Sequence, residues 1–257
     1  MKKLIAVCVV VIMVLGVSGV AQAAWETFVI RGDASITANQ TAPDSTTGWT
    51  LFDVSGSGEK AGWGTNSMNG GTIGDIQSLS IERYVPTSGD TTYAPYFNIW
   101  VTDGLGGFAV LANEPSHTQE YTNYGETAYD MTWDGALKNA TTWVYEVDGT
   151  QGFKLPDGTT TYSSLGAGTL DPFNFEDFAG YAIATPSAHW GTSGAPDDLN
   201  ASVYTAYGFN WVFGDTQSNY IGGHLAKCPT LVPEPSTIAM LIFGALNLLL
   251  IRRKRNA

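Results

Sequence analysis

Between residues 24 and 232 no apolar repeat at helical spacing runs for a useful length; short apolar or alternating runs recur instead, each closed by Gly, Asp, Asn or Ser. Alternation with a period of two puts successive side chains on opposite faces of a strand, and the closing residues supply turns. Strands are therefore expected at 25–30, 49–54, 76–85, 96–102, 108–111, 129–133, 142–147 and 207–213. Asp103-Gly104, Asp148-Gly149, Asp157-Gly158 and Gly214-Asp215 read as turns, as does Ser55-Gly56-Ser57-Gly58. The stretch 173–184 is open: Phe175-Glu176-Asp177-Phe178 could begin a short helix, and Tyr181-Ala182-Ile183 could be a strand. About nine to eleven short strands with no internal repeat predict an all-β fold, a single antiparallel β-sandwich of jelly-roll type. A closed barrel fits less well, and the missing repeat argues against a propeller or β-helix.

The two ends differ from this body. Residues 1–23 carry Lys2 and Lys3, an apolar run over 4–17, and Ala21-Gln22-Ala23, the three parts of a secretory signal peptide. Cleavage between Ala23 and Ala24 is expected; the alternative is a retained anchor. Cys8 lies inside the apolar run and cannot be the lipid-bearing cysteine of a lipoprotein signal. At the other end, Pro233-Glu234-Pro235 precedes an apolar stretch over 238–251 and then Arg252-Arg253-Lys254-Arg255. This is stop-transfer chemistry: a marginal membrane helix followed by cations that stay cytoplasmic. The prolines hold an extended segment before it, as a processing protease requires.

The order of Pro233-Glu234-Pro235, one apolar helix and a basic tail over 232–257 resembles the PEP-CTERM sorting signal. The resemblance covers the end of the chain only. It implies export through the inner membrane of a Gram-negative-type bacterium, transient anchoring there, and processing by an exosortase-type transpeptidase. Such signals occur in bacteria that make extracellular polysaccharide, so the expected partners are that polysaccharide or other surface proteins, and the expected final place is the cell surface or outside the cell. Residues 95–104 and 210–216 are similar to segments of other PEP-CTERM ectodomains, a looser likeness that transfers no site.

Composition narrows what the ectodomain, residues 24–231, can bind. The end segments hold six of the 12 basic residues but one of the 24 acidic ones, which leaves 6 bases against 23 acids between them, a net of −17. Such a body will not bind nucleic acid by neutralising phosphate, and it repels anionic lipid. All 8 Trp and all 12 Tyr lie in this middle region. One cysteine, Cys228, survives signal removal, so no internal disulfide forms; it is buried, paired to another molecule, or close to a segment that is cut away.

No catalytic constellation is complete. Glu146-Val147-Asp148 begins the Glu-x-Asp-x-Glu strand pattern of sandwich-type glycosidases, but Thr150 and Gln151 stand where the third carboxylate belongs. Asp130 and Asp134 flank Trp133 and could share a face, or Asp134-Gly135 is simply a turn. Gly191-Thr192-Ser193-Gly194-Ala195 departs from a nucleophile elbow at its last position and is followed by no helix. His117, His189 and His224 are dispersed, and no phosphate or dinucleotide fingerprint is present, so no cofactor is expected. Oxygen-rich segments 53–59 and 196–200 leave calcium possible, without EF-hand spacing.

Sugar sites pair an aromatic plane with carboxylate or amide hydrogen bonds. Asn98 and Trp100, two apart on one strand, share a face, and Asp103 closes the same run, so these three are the candidate ligand-binding residues. That face is either core or cleft. Two functions follow: a non-catalytic, polysaccharide-associated or adhesive surface module, or a secreted glycoside hydrolase or other hydrolase with an unrecognised site.

Overall fold

The computed structural model describes residues 24–84, 95–114, 128–145, 147, 151–163, 165, 173–184, 207–215 and 220–233. These are antiparallel β-sheets with almost no helix: two 3₁₀ turns and a five-residue π-type turn at Trp133–Leu137. The all-β expectation holds.

The largest sheet runs β1 (Glu26–Arg31), β4 (Lys60–Thr65), β13 (Phe209–Phe213), β6 (Tyr96–Thr102), β7 (Phe108–Ala112), β9 (Trp143–Tyr145), every neighbour antiparallel. β13 pairs with β6 only as far as Ile99, and β12 (Ala182–Ile183) takes up the same strand at Val101 and Thr102. Along β6, Phe97, Ile99 and Val101 are fully buried in the core, while Tyr96, Asn98 and Trp100 face the other way.

Two smaller sheets supply the opposing core residues. One is β14 (Gly222–Ala226), β3 (Thr47–Val54), β2 (Ser35–Thr41); the other is β15 (Thr230–Pro233), β5 (Ile76–Glu82), β8 (Ala128–Thr132). Phe52 of β3 stacks on Phe213 of β13 at 4.2 Å and meets Trp63 of β4 edge-on at 5.9 Å. A bridge between Arg83 and Ala226 joins the two smaller sheets at the end of β5. On β5, Ile76 and Leu79 are three residues apart and would face opposite ways on a regular strand. A register shift opposite Val232 and Pro233 flips the parity at Gln77, so both are buried.

The expected strands are present with shifted ends. β2, β4, β14 and β15 were not expected, because SITANQT, KAGWGT, GGHLA and TLVP carry few large apolar residues. Both readings of 173–184 are realised: a 3₁₀ turn at Phe175–Phe178, then β12. Two strands follow 207–213, and β15 extends to Pro233, two residues past the expected domain end at 231. Among the described residues no helix is long and apolar enough to cross a membrane; 238–251 lies outside them.

Candidate functional site

The β6–β7 turn is built on Asp103. Its Oδ1 accepts the N–H groups of Leu105 at 2.8 Å and Gly107 at 2.9 Å, and its Oδ2 accepts the N–H of Lys154 at 2.9 Å. The carboxylate thus ties this turn to the hairpin of β10 (Phe153–Lys154) and β11 (Thr160–Thr161). Gly107 is required here: a Cβ would run into the Gly152 carbonyl and the Asp103 carboxylate.

The β10–β11 turn repeats the device. Asp157 Oδ1 accepts both the N–H and the hydroxyl of Thr159 at 2.8 Å, which holds its carboxyl below the usual carboxylate range. Between the two turns lies Tyr181. Its ring packs 5.1 Å from Phe178 and 5.6 Å from Phe153, and its hydroxyl donates to the Lys154 carbonyl at 2.8 Å. Partial burial, then the nearby Asp103 and Asp157 charges, push the Tyr181 phenol above its ordinary value.

These elements enclose an open cleft of about 520 Å³, lined by Asp103, Lys154, Asp157, Tyr181 and backbone of Gly104 and Gly180. Two of the most exposed large apolar side chains are on the same turns but do not line it: Leu105, 74% exposed, at the tip of the β6–β7 turn, and Tyr162, 61% exposed, just past β11. The Tyr162 ring lies over Gly152, where a Cβ would meet it at 2.8 Å. The cleft therefore offers fixed carboxylate acceptors, the Tyr181 ring in its wall and one ammonium group.

Of the three sequence candidates, Asp103 is in this cleft. Asn98 and Trp100 do share a face, but it is the outer face of the large sheet, and Trp100 is only 6% exposed. Asn98 is five strand positions from Asp103, about 17 Å at 3.3 Å per residue. Asn98 lies directly opposite Asn210, and the side-chain oxygens of both are buried without a hydrogen-bond partner. Asn210 Nδ2 donates to the Tyr207 carbonyl at 2.9 Å.

The same outer face holds a polar cluster that alternation alone did not reveal. Asp215 accepts the Tyr96 hydroxyl at 2.7 Å and pairs with Lys60 at 2.7 Å and Arg31 at 3.3 Å. A bulge between Val29 and Arg31 in β1 sets Arg31 opposite Lys60, so both cations reach the carboxylate. Glu114 accepts the hydroxyls of Tyr145 at 3.0 Å and Tyr220 at 3.3 Å.

The other candidates resolve simply. Glu59 in the 53–59 segment turns its carboxylate onto its own loop, accepting the N–H of Ser55 at 2.7 Å and of Gly56 at 3.0 Å. Among the described residues no group of three His, Cys, Asp or Glu could hold a metal. Asp134 is in an exposed turn, and His224 is buried with Nε2 against the Tyr220 carbonyl at 3.0 Å. Cys228 is exposed, which removes the buried alternative; partial desolvation still raises its thiol pKa. Ala24 is exposed beside Trp25, whose ring packs edge-on to Phe209 at 5.8 Å, and Pro233 ends β15. Ala23, Glu234, Pro235, Arg252, Arg253, Lys254 and Arg255 lie outside the described residues, as do His117, His189, Glu146, Asp148, 191–195 and 196–200, and the side chain of Asp130. No family model, curated protein or solved structure matches the chain.

Proposed function

We propose that this chain is exported by its N-terminal signal and held in the inner membrane by residues 238–251. An exosortase-type transpeptidase then processes it at Pro233-Glu234-Pro235 for display at the cell surface or in the extracellular matrix. There it acts as a non-catalytic module that binds neutral polysaccharide. Its body is a β-sandwich of jelly-roll type, a reading supported by the Phe52–Phe213 stack and by the chain's repeated crossing between the large sheet and the smaller ones.

The observation that carries the binding function is the cleft between the Asp103 and Asp157 turns, with Tyr181 in its wall. Asp103 and Asp157 are fixed by backbone N–H groups, so they meet a ligand already oriented and cost little ordering on binding. Asp157 is kept ionised, the state of an acceptor and not of a general acid. The Tyr181 ring can stack on the apolar face of a pyranose while the carboxylates accept hydrogen bonds from its hydroxyls.

Calorimetric titration of the mature protein with neutral oligosaccharides tests this. Binding that is lost in Tyr181→Ala and Asp157→Asn, with the fold intact, is expected. Absence of binding across a broad neutral panel would refute the module, and release of reducing ends would replace it with a hydrolase.

A further inference from the structure

The segment that leads into Pro233-Glu234-Pro235 is a working strand of the body. Thr230, Leu231 and Val232 pair with Ser80, Leu79 and Ser78 of β5, and Pro233 pairs with Ile76. Leu231 is fully buried in the core, against a strand whose Ile76 and Leu79 are also buried. Just upstream, the Tyr84 N–H donates to the Leu225 carbonyl at 2.9 Å and the Lys227 N–H to the Glu82 carbonyl at 2.9 Å. The chain from 225 to 233 is thus held along β5 from one end to the other.

Two consequences follow for an enzyme that must seize the motif. A protease-type groove binds extended substrate by its backbone on both sides of the cut, and here β5 already occupies one edge of that backbone on the upstream side and fixes the strand against the body. Downstream, residues 234–237 separate β15 from the apolar stretch at 238, and four residues reach at most about 14 Å. With β15 docked and 238–251 in the membrane, as the sorting function requires, that short length is all the chain a catalytic groove could take up around the motif.

We propose that β15 gates C-terminal processing: the transpeptidase acts on chains whose β15 has not yet docked or has peeled from β5, and docking of β15 protects the motif. This rests on the sorting function proposed above. Local opening of an end strand is a low-energy event compared with global unfolding, so the gate can operate in a folded body. It makes the rate of processing report on the stability of one strand.

Processing of the full chain, followed in the exporting cell by pulse-labelling and the mass shift on loss of the tail, tests the gate. Leu231→Ala, which weakens docking, is expected to raise the rate by about tenfold or more, the factor that about 1.4 kcal/mol gives. Ser78→Cys/Val232→Cys in a Cys228→Ser background bridges directly opposed positions and is expected to slow processing until reductant is added. Glu234→Ala and Pro235→Ala serve as the reference for the motif itself. If they block processing while the bridged and Leu231→Ala chains mature at the wild-type rate, the gate is overturned and the sorting function stands. If they mature normally, the sorting function falls, and the gate with it. Because the bridged variant keeps its core, a folding failure of Leu231→Ala leaves the decision to it.

Discussion

Raising the pH above 10 should destabilise this protein through two tyrosines. Tyr96, 1% exposed, donates to Asp215, and Tyr145 donates to Glu114. Burial first, and then the neighbouring carboxylates, hold both phenols well above their ordinary value of 10.0. In the unfolded chain each loses its proton near that ordinary value, while in the folded protein each keeps it. The unfolded state then binds fewer protons, so stability falls as pH rises through 10 and goes on falling toward the folded-state values. At pH 11 the loss is about 1.4 kcal/mol for each phenol, or about 2.8 kcal/mol for the pair, a large part of an ordinary domain's 5–15 kcal/mol. Tyr145→Phe isolates one of them. Near pH 8 it should cost about 1–2 kcal/mol, because Glu114 loses a buried donor. By pH 11 the wild type has lost about 1.4 kcal/mol that the variant has not, so the two stabilities should converge. Urea unfolding followed by far-ultraviolet circular dichroism at pH 8, 10 and 11 measures this. Parallel pH curves for the two proteins would show that Tyr145 ionises as easily folded as unfolded, and would refute the reasoning.

Asp215→Ala should cost about 3 kcal/mol, the low end for breaking a buried pair, because Arg31 and Lys60 can still turn toward water. Asp215→Asn should cost less, since the amide oxygen still accepts the Tyr96 hydroxyl; urea midpoints of both check the order. Trp100→Ala should lose about 3–5 kcal/mol by thermal or urea unfolding, as befits a side chain 6% exposed. A variant that stays folded and stable would restore Trp100 as a ligand platform.

How much of this could be read beforehand depended on side-chain size. Strands with large alternating residues, such as Tyr96–Thr102 and Phe108–Ala112, announced themselves. β4 did not, because Gly62 and Gly64 leave its outer face nearly bare. The structure needs them there: a Cβ at Gly64 would strike the Tyr207 ring, and one at Gly62 the Trp211 carbonyl. β2 was hidden for another reason, since most of Ser35–Thr41 is solvent-facing and gives no alternation to detect. Asp103-Gly104 and Asp157-Gly158 were correctly read as turns, and that same reading concealed their part in a cleft. Only the fold sets residues 103 and 157 on either side of Tyr181. The Asp215 cluster was equally invisible, because its members come from β1, β4, β6 and the end of β13, and one depends on a bulge.

On the function proposed above, the charge of the body sets which glycans the cleft should bind. Six basic residues face 23 acids, and the structure commits most of those six away from the cleft. Arg31 and Lys60 are spent on Asp215, Lys227 pairs with Glu82 at 2.8 Å and lies over the Trp49 ring, and Arg83 is buried. Lys154 is left to answer Asp103 and Asp157, so the field at the cleft is negative. A neutral oligosaccharide does not feel that field, and its affinity should be unchanged between low and high salt. A uronate-rich chain is repelled, and should bind only as added salt shortens the Debye length toward the few-ångström scale. Side-by-side titrations of the two ligands at both salt levels separate these cases. Tight, salt-sensitive binding of the anionic chain would refute the proposed neutral-glycan site in this cleft.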